Sequence, residues 1–407
     1  MGVRSSKHED GFTKHTNDLS FHLKAPVVAS TASEHLDNSY RDHDKMRVVK
    51  ASKILIIGDN RIKVATACYI SAYVTNSRLD VEVIVGTRDP DAAKNSLLVR
   101  AGVTLIKADM NSPESLLPAI RKSGADTVFL VSPNQKDRSV QTNCGISACR
   151  RAGVGHVVVL SSTCAERDEP SIFGDQCKQI EAYIKTTRMG YTIVRIPILL
   201  DNYLSQLQSM SEYGIFYRPL PANATRNSVA ISDVGAAVGT ILLTPGKYMD
   251  KTISLNGPHT NCGFAAAAFT AAFNKPIIYE QVTYESYKDT LLESSMPEWQ
   301  ANGILELFKM FEDREPFCQG SMKVSFCASI HTNFFYIIFF HCFRPQNLQN
   351  SFMSLYTLLS LISPLHCPAP PSVLQTLETI LGRHPTTVFD LALSAIAKTR
   401  PRGPSGA

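Results

Sequence analysis

Gly58-Asp59-Asn60-Arg61-Ile62-Lys63 follows directly on the apolar run Ile54 to Ile57. A glycine at such a point allows a tight turn and close backbone approach to a phosphate, with the next helix N-terminus behind it. Gly58, Asn60, Arg61 and Ile62 are therefore the candidate phosphate-loop contacts. Only one glycine is present, so Arg61 and Lys63 would have to supply charge in place of open backbone amides. Three further loops carry polar groups after apolar runs. Gly86-Thr87-Arg88-Asp89-Pro90 offers Arg88, which suits a ribose 2′-phosphate and favours NADP(H) over NAD(H), or else is a solvated loop charge. Asp109-Met110 could meet an adenine by hydrogen bond and apolar contact, and Ser132-Pro133-Asn134 would flank a nicotinamide.

The elements that must position these loops follow from hydropathy. Ile54 to Ile57, Val81 to Val85, Val103 to Ile106, Thr127 to Val131, Val157 to Leu160 and Tyr191 to Val194 are short, nearly continuous apolar runs. Such runs are expected of strands buried on both faces. Helical spacing lies between them, over Val64 to Thr75, Pro113 to Arg121, Val140 to Ala152 and Gln176 to Thr187. Ser112 reads as an N-cap before Pro113, and Gly153 as a C-cap. Strand alternating with helix implies an α/β fold, a doubly wound parallel sheet of Rossmann type with a smaller C-terminal α/β substrate region. Ligands of such sheets bind beyond the carboxyl ends of the strands, where all four loops lie.

The rest of the 407 residues bounds the function. A net charge of +5 without a basic run gives no footprint for nucleic acid. Ten cysteines without a CxxC pair, and no leading segment that reads as a signal peptide, suggest free thiols, no metal site and a cytoplasmic protein, with the nucleus left open. Residues 1–50 hold eight Lys/Arg, seven Asp/Glu and five His without apolar periodicity, and are expected to form a disordered arm. Their start, Met1-Gly2-Val3-Arg4-Ser5-Ser6, fits the permissive N-myristoylation pattern. Residues 317–371 are nearly charge-free, and 324–343 match the length of a membrane span, but Ser325, His331, Asn333 and His341 interrupt them. Membrane contact is thus the weaker reading, and an insertion foreign to the fold the stronger one.

Several segments in combination resemble the NmrA-like group of atypical short-chain dehydrogenases, which has quinone- and azo-reductase-like members. They are Lys53 to Gly58, Thr87-Arg88-Asp89-Pro90, Ala108 to Leu116, Asp126 to Val131, Ala152 to Ser162, Ile180 to Ile184, Tyr191 to Arg195, and Pro297-Glu298-Trp299 with the helix through Phe311. The resemblance implies a domain over 51–316 that binds the nicotinamide dinucleotide NADP(H), with Arg88 on the 2′-phosphate. The segment 372–399, with Gly382-Arg383-His384-Pro385, resembles the family's closing helices and would complete that domain. The resemblance also exposes departures. Arg61 and Val64 stand at the second and third glycines of the family's loop, which should cost affinity. Phe173 and Cys177 stand where related reductases carry Tyr and Lys, so neither a phenolic proton nor a cationic ribose anchor is supplied there. Cys177 is then either a redox-sensitive thiol near the cofactor or an inert helix cysteine. Ser161 and Ser162 end the fifth strand, where they would polarise a carbonyl or merely cap the strand. Tyr284 and Lys288 repeat the Tyr-x-x-x-Lys spacing, by coincidence, in the C-terminal region. The leading expectation is a redox-state sensor or regulator with weak or no turnover. The alternatives are an NAD(P)H-dependent oxidoreductase of quinone-like or other small carbonyl substrates, its pocket walled by Tyr203, Phe216 and Tyr217, and a degenerate homologue without nucleotide binding.

Overall fold

The computed structural model describes residues 51–58, 61–92, 95–312 and 371–399. Continuous apolar runs form its central strands, and amphipathic segments its flanking helices. The chain runs through β1 (Lys53–Ile57), α1 (Arg61–Ser77), β2 (Glu82–Thr87), α2 (Ser96–Arg100), β3 (Thr104–Lys107), α3 (Pro113–Ser123), β4 (Thr127–Leu130), α4 (Arg138–Ala152), β5 (His156–Ser162), α5 (Ile172–Thr186) and β6 (Gly190–Ile196). It continues through β7 (Ile198–Leu199), α6 (Leu207–Tyr213), β8 (Ile215–Arg218), β9 (Arg226–Val229), α7 (Ile231–Leu243), α8 (Pro245–Tyr248) and β10 (Lys251–Ser254). The remaining elements are β11 (His259–Thr260), α9 (Cys262–Phe273), β12 (Ile278–Gln281), α10 (Tyr284–Glu293), α11 (Glu298–Glu312), α12 (Pro371–Leu381) and α13 (Val388–Thr399).

The main sheet has the strand order β10-β6-β5-β4-β1-β2-β3, and every pairing in it is parallel. All six expected strands are present. The seventh, β10, escapes a hydropathy reading because Lys251 and Thr252 are exposed and only Ile253 is buried. Strand order reverses between β1 and β4, which opens a crevice at their carboxyl ends. Side chains alternate across the sheet. Ile54, Ile56, Phe129, Val158 and Val194 face α1, α7 and α12. Leu55, Ile57, Val128, Leu130, Val157 and Val159 face α3, α4 and α5.

Two helix ends compare differently with expectation. Gly153 closes α4 with φ 79°, a left-handed backbone that suits glycine. Pro113 opens α3, but the Ser112 side chain makes no cap bond there. Instead the Ser112 carbonyl accepts from the Ser115 hydroxyl at 2.7 Å.

The C-terminal region forms two small sheets, β11-β9-β7 and β12-β8, over α9. Its core joins Tyr203, Phe216 and Phe269. Tyr203 and Phe216 are fully packed core residues, and Tyr217 lies edge-on to Tyr287 at 6.3 Å between ring centres. Leu377 of α12 is completely buried beside α7, and Leu391, Ala392 and Ile396 of α13 pack against α9. The expected arm 1–50 and most of the expected insertion 317–371 lie outside the described residues. Among the described residues no helix is long and apolar enough to cross a membrane.

Candidate functional site

The crevice at the strand reversal is lined by Gly58, Arg88, Ala108, Asp109, Met110, Asn111 and Pro133. Four loops that are far apart in sequence thus share one rim. Gly58 ends β1 with φ 153°, and a Cβ built there would sit 2.7 Å from both the Cβ and the carbonyl oxygen of Val131. Any side chain would therefore drive β1 and β4 apart, so a glycine is required at the point of closest backbone approach. Asn60 lies outside the described residues. Arg61 opens α1 and is exposed, whereas the Ile62 side chain packs into the core. Val64 packs against the same core, so its side chain does not project across the rim. Lys63 turns inward, and its ammonium donates to the Gly86 carbonyl at 3.4 Å. That places a second cation under the end of β2, just before exposed Arg88.

Asp109 holds its loop by accepting from the Asn111 amide at 3.0 Å, while Met110 is 3% exposed and belongs mainly to the core beneath the crevice. Thr142 of α4 fixes the next loop: its hydroxyl lies 2.9 Å from Ser132 Oγ and donates to the Arg138 carbonyl at 2.7 Å. Pro133 is buried against the rim. Asn134 donates to Gln300 of α11 at 3.2 Å, tying this loop to the C-terminal region.

The serines that end β5 are already engaged. Ser161 Oγ donates to Glu181 at 2.6 Å, and Glu181 is a buried carboxylate paired with Arg195 at 2.6 Å. Ser162 Oγ accepts from the Cys164 amide at 3.2 Å and so caps the 3-10 turn over 163–166. The arrangement makes Ser161 part of a structural ion pair and Ser162 the cap that ends the strand.

The first turn of α5 shows what replaces the missing tyrosine and lysine. The Phe173 ring meets Trp299 of α11 edge-on at 6.1 Å between centres. On another side it carries the Arg138 guanidinium, whose central carbon is 5.0 Å from the ring centre. Arg138 Nη2 donates to the Phe173 carbonyl at 3.3 Å and lies 3.9 Å from Cys177 Sγ. Cys177 is 6% exposed; burial pushes its thiol pKa up, and the nearby Arg138 charge pulls it partly back. A raised pKa favours the protonated thiol, the less nucleophilic form. Lys178 points elsewhere and pairs with Asp175 at 3.5 Å. Tyr284 and Lys288 are far from the crevice: their partners are Glu312 and Glu298 on α11. Among the described residues no cluster of three or more His, Cys, Asp or Glu could hold a metal ion.

Arg138 was missed by sequence reading. It stands at the start of the helix that follows the β4 loop, so the signal was the same one that singled out Ser132 and Pro133. Trp299 was missed because it arrives on Phe173 from a helix more than a hundred residues away.

Residues 52–333 match the model of the NmrA-like family. An NAD(P)H azoreductase of Xenophilus azovorans is 29% identical over 221 residues, which is 54% of this chain and 76% of that protein. A nitrogen metabolite regulation-like protein of Gibberella fujikuroi is 22% identical over 281 residues, 62% of this chain and 84% of that one. Among solved structures, an NADPH-dependent quinone oxidoreductase from Escherichia coli in complex with NADPH superposes with a TM-score of 0.58 at 17% identity, covering 83% of this chain and 98% of that one. With a parallel sheet reversing at β1 and β4 and a family match over most of its length, this chain belongs to the NmrA-like family.

Proposed function

We propose that this protein binds NADP(H) and responds to the state of that dinucleotide by binding, with weak or no turnover. The observation that carries the second half is the pairing of Phe173 with Trp299 and Arg138. The position at which related reductases present a phenol presents a hydrocarbon edge here. No proton can be held or moved at that atom.

The residues present fit a dinucleotide. Gly58 lines the crevice beside Arg88, Asp109 and Pro133, and the N-terminus of α1 follows it. In this reading the loop around Gly58, Asn60, Arg61 and Ile62 takes the pyrophosphate, and Arg88 takes the 2′-phosphate. Asp109 and Met110 flank the adenine, and Ser132, Pro133 and Cys177 lie toward the nicotinamide. The loop's single glycine should still weaken phosphate approach relative to family members that carry three. When bound, the dinucleotide supplies a hydride and a ring whose charge differs between its two oxidation states. The chain's own part is to bind, orient and shield it: Pro133 and Met110 exclude water, and Asn134 with Gln300 holds the rim to α11.

A second reading, an NAD(P)H-dependent reductase of quinone-like or other small carbonyl substrates, draws support from the relative named as an azoreductase. Titration of protein fluorescence with NADPH tests the binding claim, and saturation in the micromolar range is expected. Absence of saturable binding below millimolar would leave a degenerate homologue without nucleotide. Turnover with a panel of quinones and NADPH tests the remainder, and a rate comparable to that of an active reductase would overturn the sensor reading.

We also propose that 372–399 completes the domain and that 317–371 interrupts it. The burial of Leu377 and the Asp233–Arg383 pair support this reading. Transcript sequencing across the interval tests it, and an abundant continuous message encoding 317–371 would count against it. A cytoplasmic or nuclear location accompanies the proposal.

A further inference from the structure

Arg138 is a half-buried cation without a carboxylate partner among the described residues. Its Nε is buried and has no hydrogen-bond partner, and its Nη1 has no acceptor among the described residues. Burial lowers its pKa from the ordinary arginine value, with the Cys177 and Cys164 sulfurs opposing that shift. An uncompensated, partly desolvated charge is costly to keep unless something else meets it. Its place in the fold indicates what that is. The Arg138 backbone carbonyl accepts from Thr142, which also reaches Ser132 of the β4 loop, while its guanidinium reaches the Phe173 carbonyl and the Cys177 sulfur at the start of α5. In the dinucleotide reading above, the β4 loop and Cys177 lie toward the nicotinamide. A lysine at 177 would extend from the position of the Cys177 sulfur along its remaining stem. The Arg138 Nη2 lies 3.9 Å from that sulfur, within the reach of such a stem.

We propose that Arg138 replaces the missing lysine as the cation of this site and reads the oxidation state of the dinucleotide. Its fixed positive charge disfavours the cationic oxidised ring and leaves the neutral reduced ring unaffected. The inference rests on the dinucleotide-binding reading above and adds to it the residue that sets the discrimination. The Phe173 ring, itself braced edge-on by Trp299, carries the guanidinium and restrains it from swinging away to solvent, which a charge-based discriminator requires.

The test is equilibrium titration of the full chain and its variants with NADPH, NADP+ and 2′,5′-ADP, the last lacking the nicotinamide half. The wild type should bind NADPH more tightly than NADP+. Arg138→Met should shrink that preference by roughly tenfold or more, the scale of one unit charge acting over several ångströms near a protein surface. Affinity for 2′,5′-ADP should stay the same, and Arg138→Lys should keep the wild-type preference. The inference is overturned if the wild type has no preference, if the preference survives Arg138→Met, or if 2′,5′-ADP affinity falls in parallel. Should Arg138→Met fail to fold, as a thermal melt reports, Arg138→Gln takes its place; failure of both would make Arg138 structural and end the proposal. Failure of the wild type to bind any of the three ligands would instead overturn the dinucleotide reading itself.

Discussion

Gly303 of α11 lies so close to Phe173 of α5 that a Cβ built on it would meet the end of the ring at 2.8 Å. The two helices can approach to that distance only because one has no side chain. Gly303→Ala gains up to about 1 kcal/mol of helix propensity but forces an overpacked contact worth about 1–3 kcal/mol. A net loss of up to about 2 kcal/mol in urea unfolding is expected, with a change in Trp299 fluorescence as the ring is displaced. The same contact bears on Phe173→Tyr. The added hydroxyl would point at Gly303 rather than into the crevice, so Phe173→Tyr with Cys177→Lys should lower thermal stability and fail to create a reductase. A quinone reductase rate appearing in that double variant would show that the ring is free to turn.

Arg88 is exposed on the crevice rim, so its removal should affect binding far more than folding. A charge-assisted hydrogen bond contributes about 1.5–3 kcal/mol, which is roughly tenfold to a hundredfold in affinity. Arg88→Met should lose that much of the preference for NADPH over NADH with little change in melting temperature. Equal weakening toward both dinucleotides would mean that Arg88 does not address the 2′-phosphate.

The legible parts of the fold were those governed by local hydropathy. The central strands β1, β4 and β5 are buried on both faces and carry a continuous apolar signal that the short edge strand β10 lacks. The loops of the crevice were legible for the same reason, since each must follow a recognisable strand. What could not be read was the direction of individual side chains. Met110, three residues past β3, both lines the crevice and packs into the core, and Ile62, in the first turn of α1, packs into the core, directions that a linear pattern does not encode. Contacts from α11 onto α5 were invisible because they depend on how the C-terminal region folds back, which no local pattern encodes.

The last turn before α13 depends on a buried charge. Asp233 of α7 is fully buried and accepts from Arg383 Nη2 at 2.6 Å, from the Thr386 amide at 2.6 Å and from the Thr386 hydroxyl at 3.0 Å. Removing one partner of a buried pair strands the other, but the Arg383 side chain is 45% exposed and Thr386 would remain. Arg383→Met should therefore cost about 1–2 kcal/mol, well below the cost of breaking a fully enclosed pair. Asp233→Ala should cost more than Arg383→Met, because it strands the Thr386 amide and hydroxyl as well. Urea denaturation of the two variants checks the order, and equal losses would show that Thr386 contributes nothing.

His156 should make the fold acid-sensitive above the usual carboxylate range. Its ring is 1% exposed, and its Nε2 is 2.9 Å from Thr192 Oγ1. The Thr192 hydroxyl donates to the Tyr248 carbonyl at 2.7 Å, so it can only accept from Nε2–H, which fixes the neutral tautomer. Nδ1 is buried and has no partner among the described residues, so a proton added there would have no acceptor among them. Burial accordingly lowers the pKa to about 4, against the weaker opposing pull of Asp250. The unfolded chain takes up the proton near pH 6.5 and the folded one only near 4, so between those values the unfolded state binds more protons. Stability is therefore complete above 6.5 and is lost as pH falls toward 4, by roughly 2–3 kcal/mol at the lower end. His156→Gln keeps a donor for Thr192 without titrating, and its urea midpoint should fall less between pH 7 and pH 4.5 than that of the wild type. Parallel curves for the two proteins would show that His156 is already charged in the folded state or that the ring reaches water.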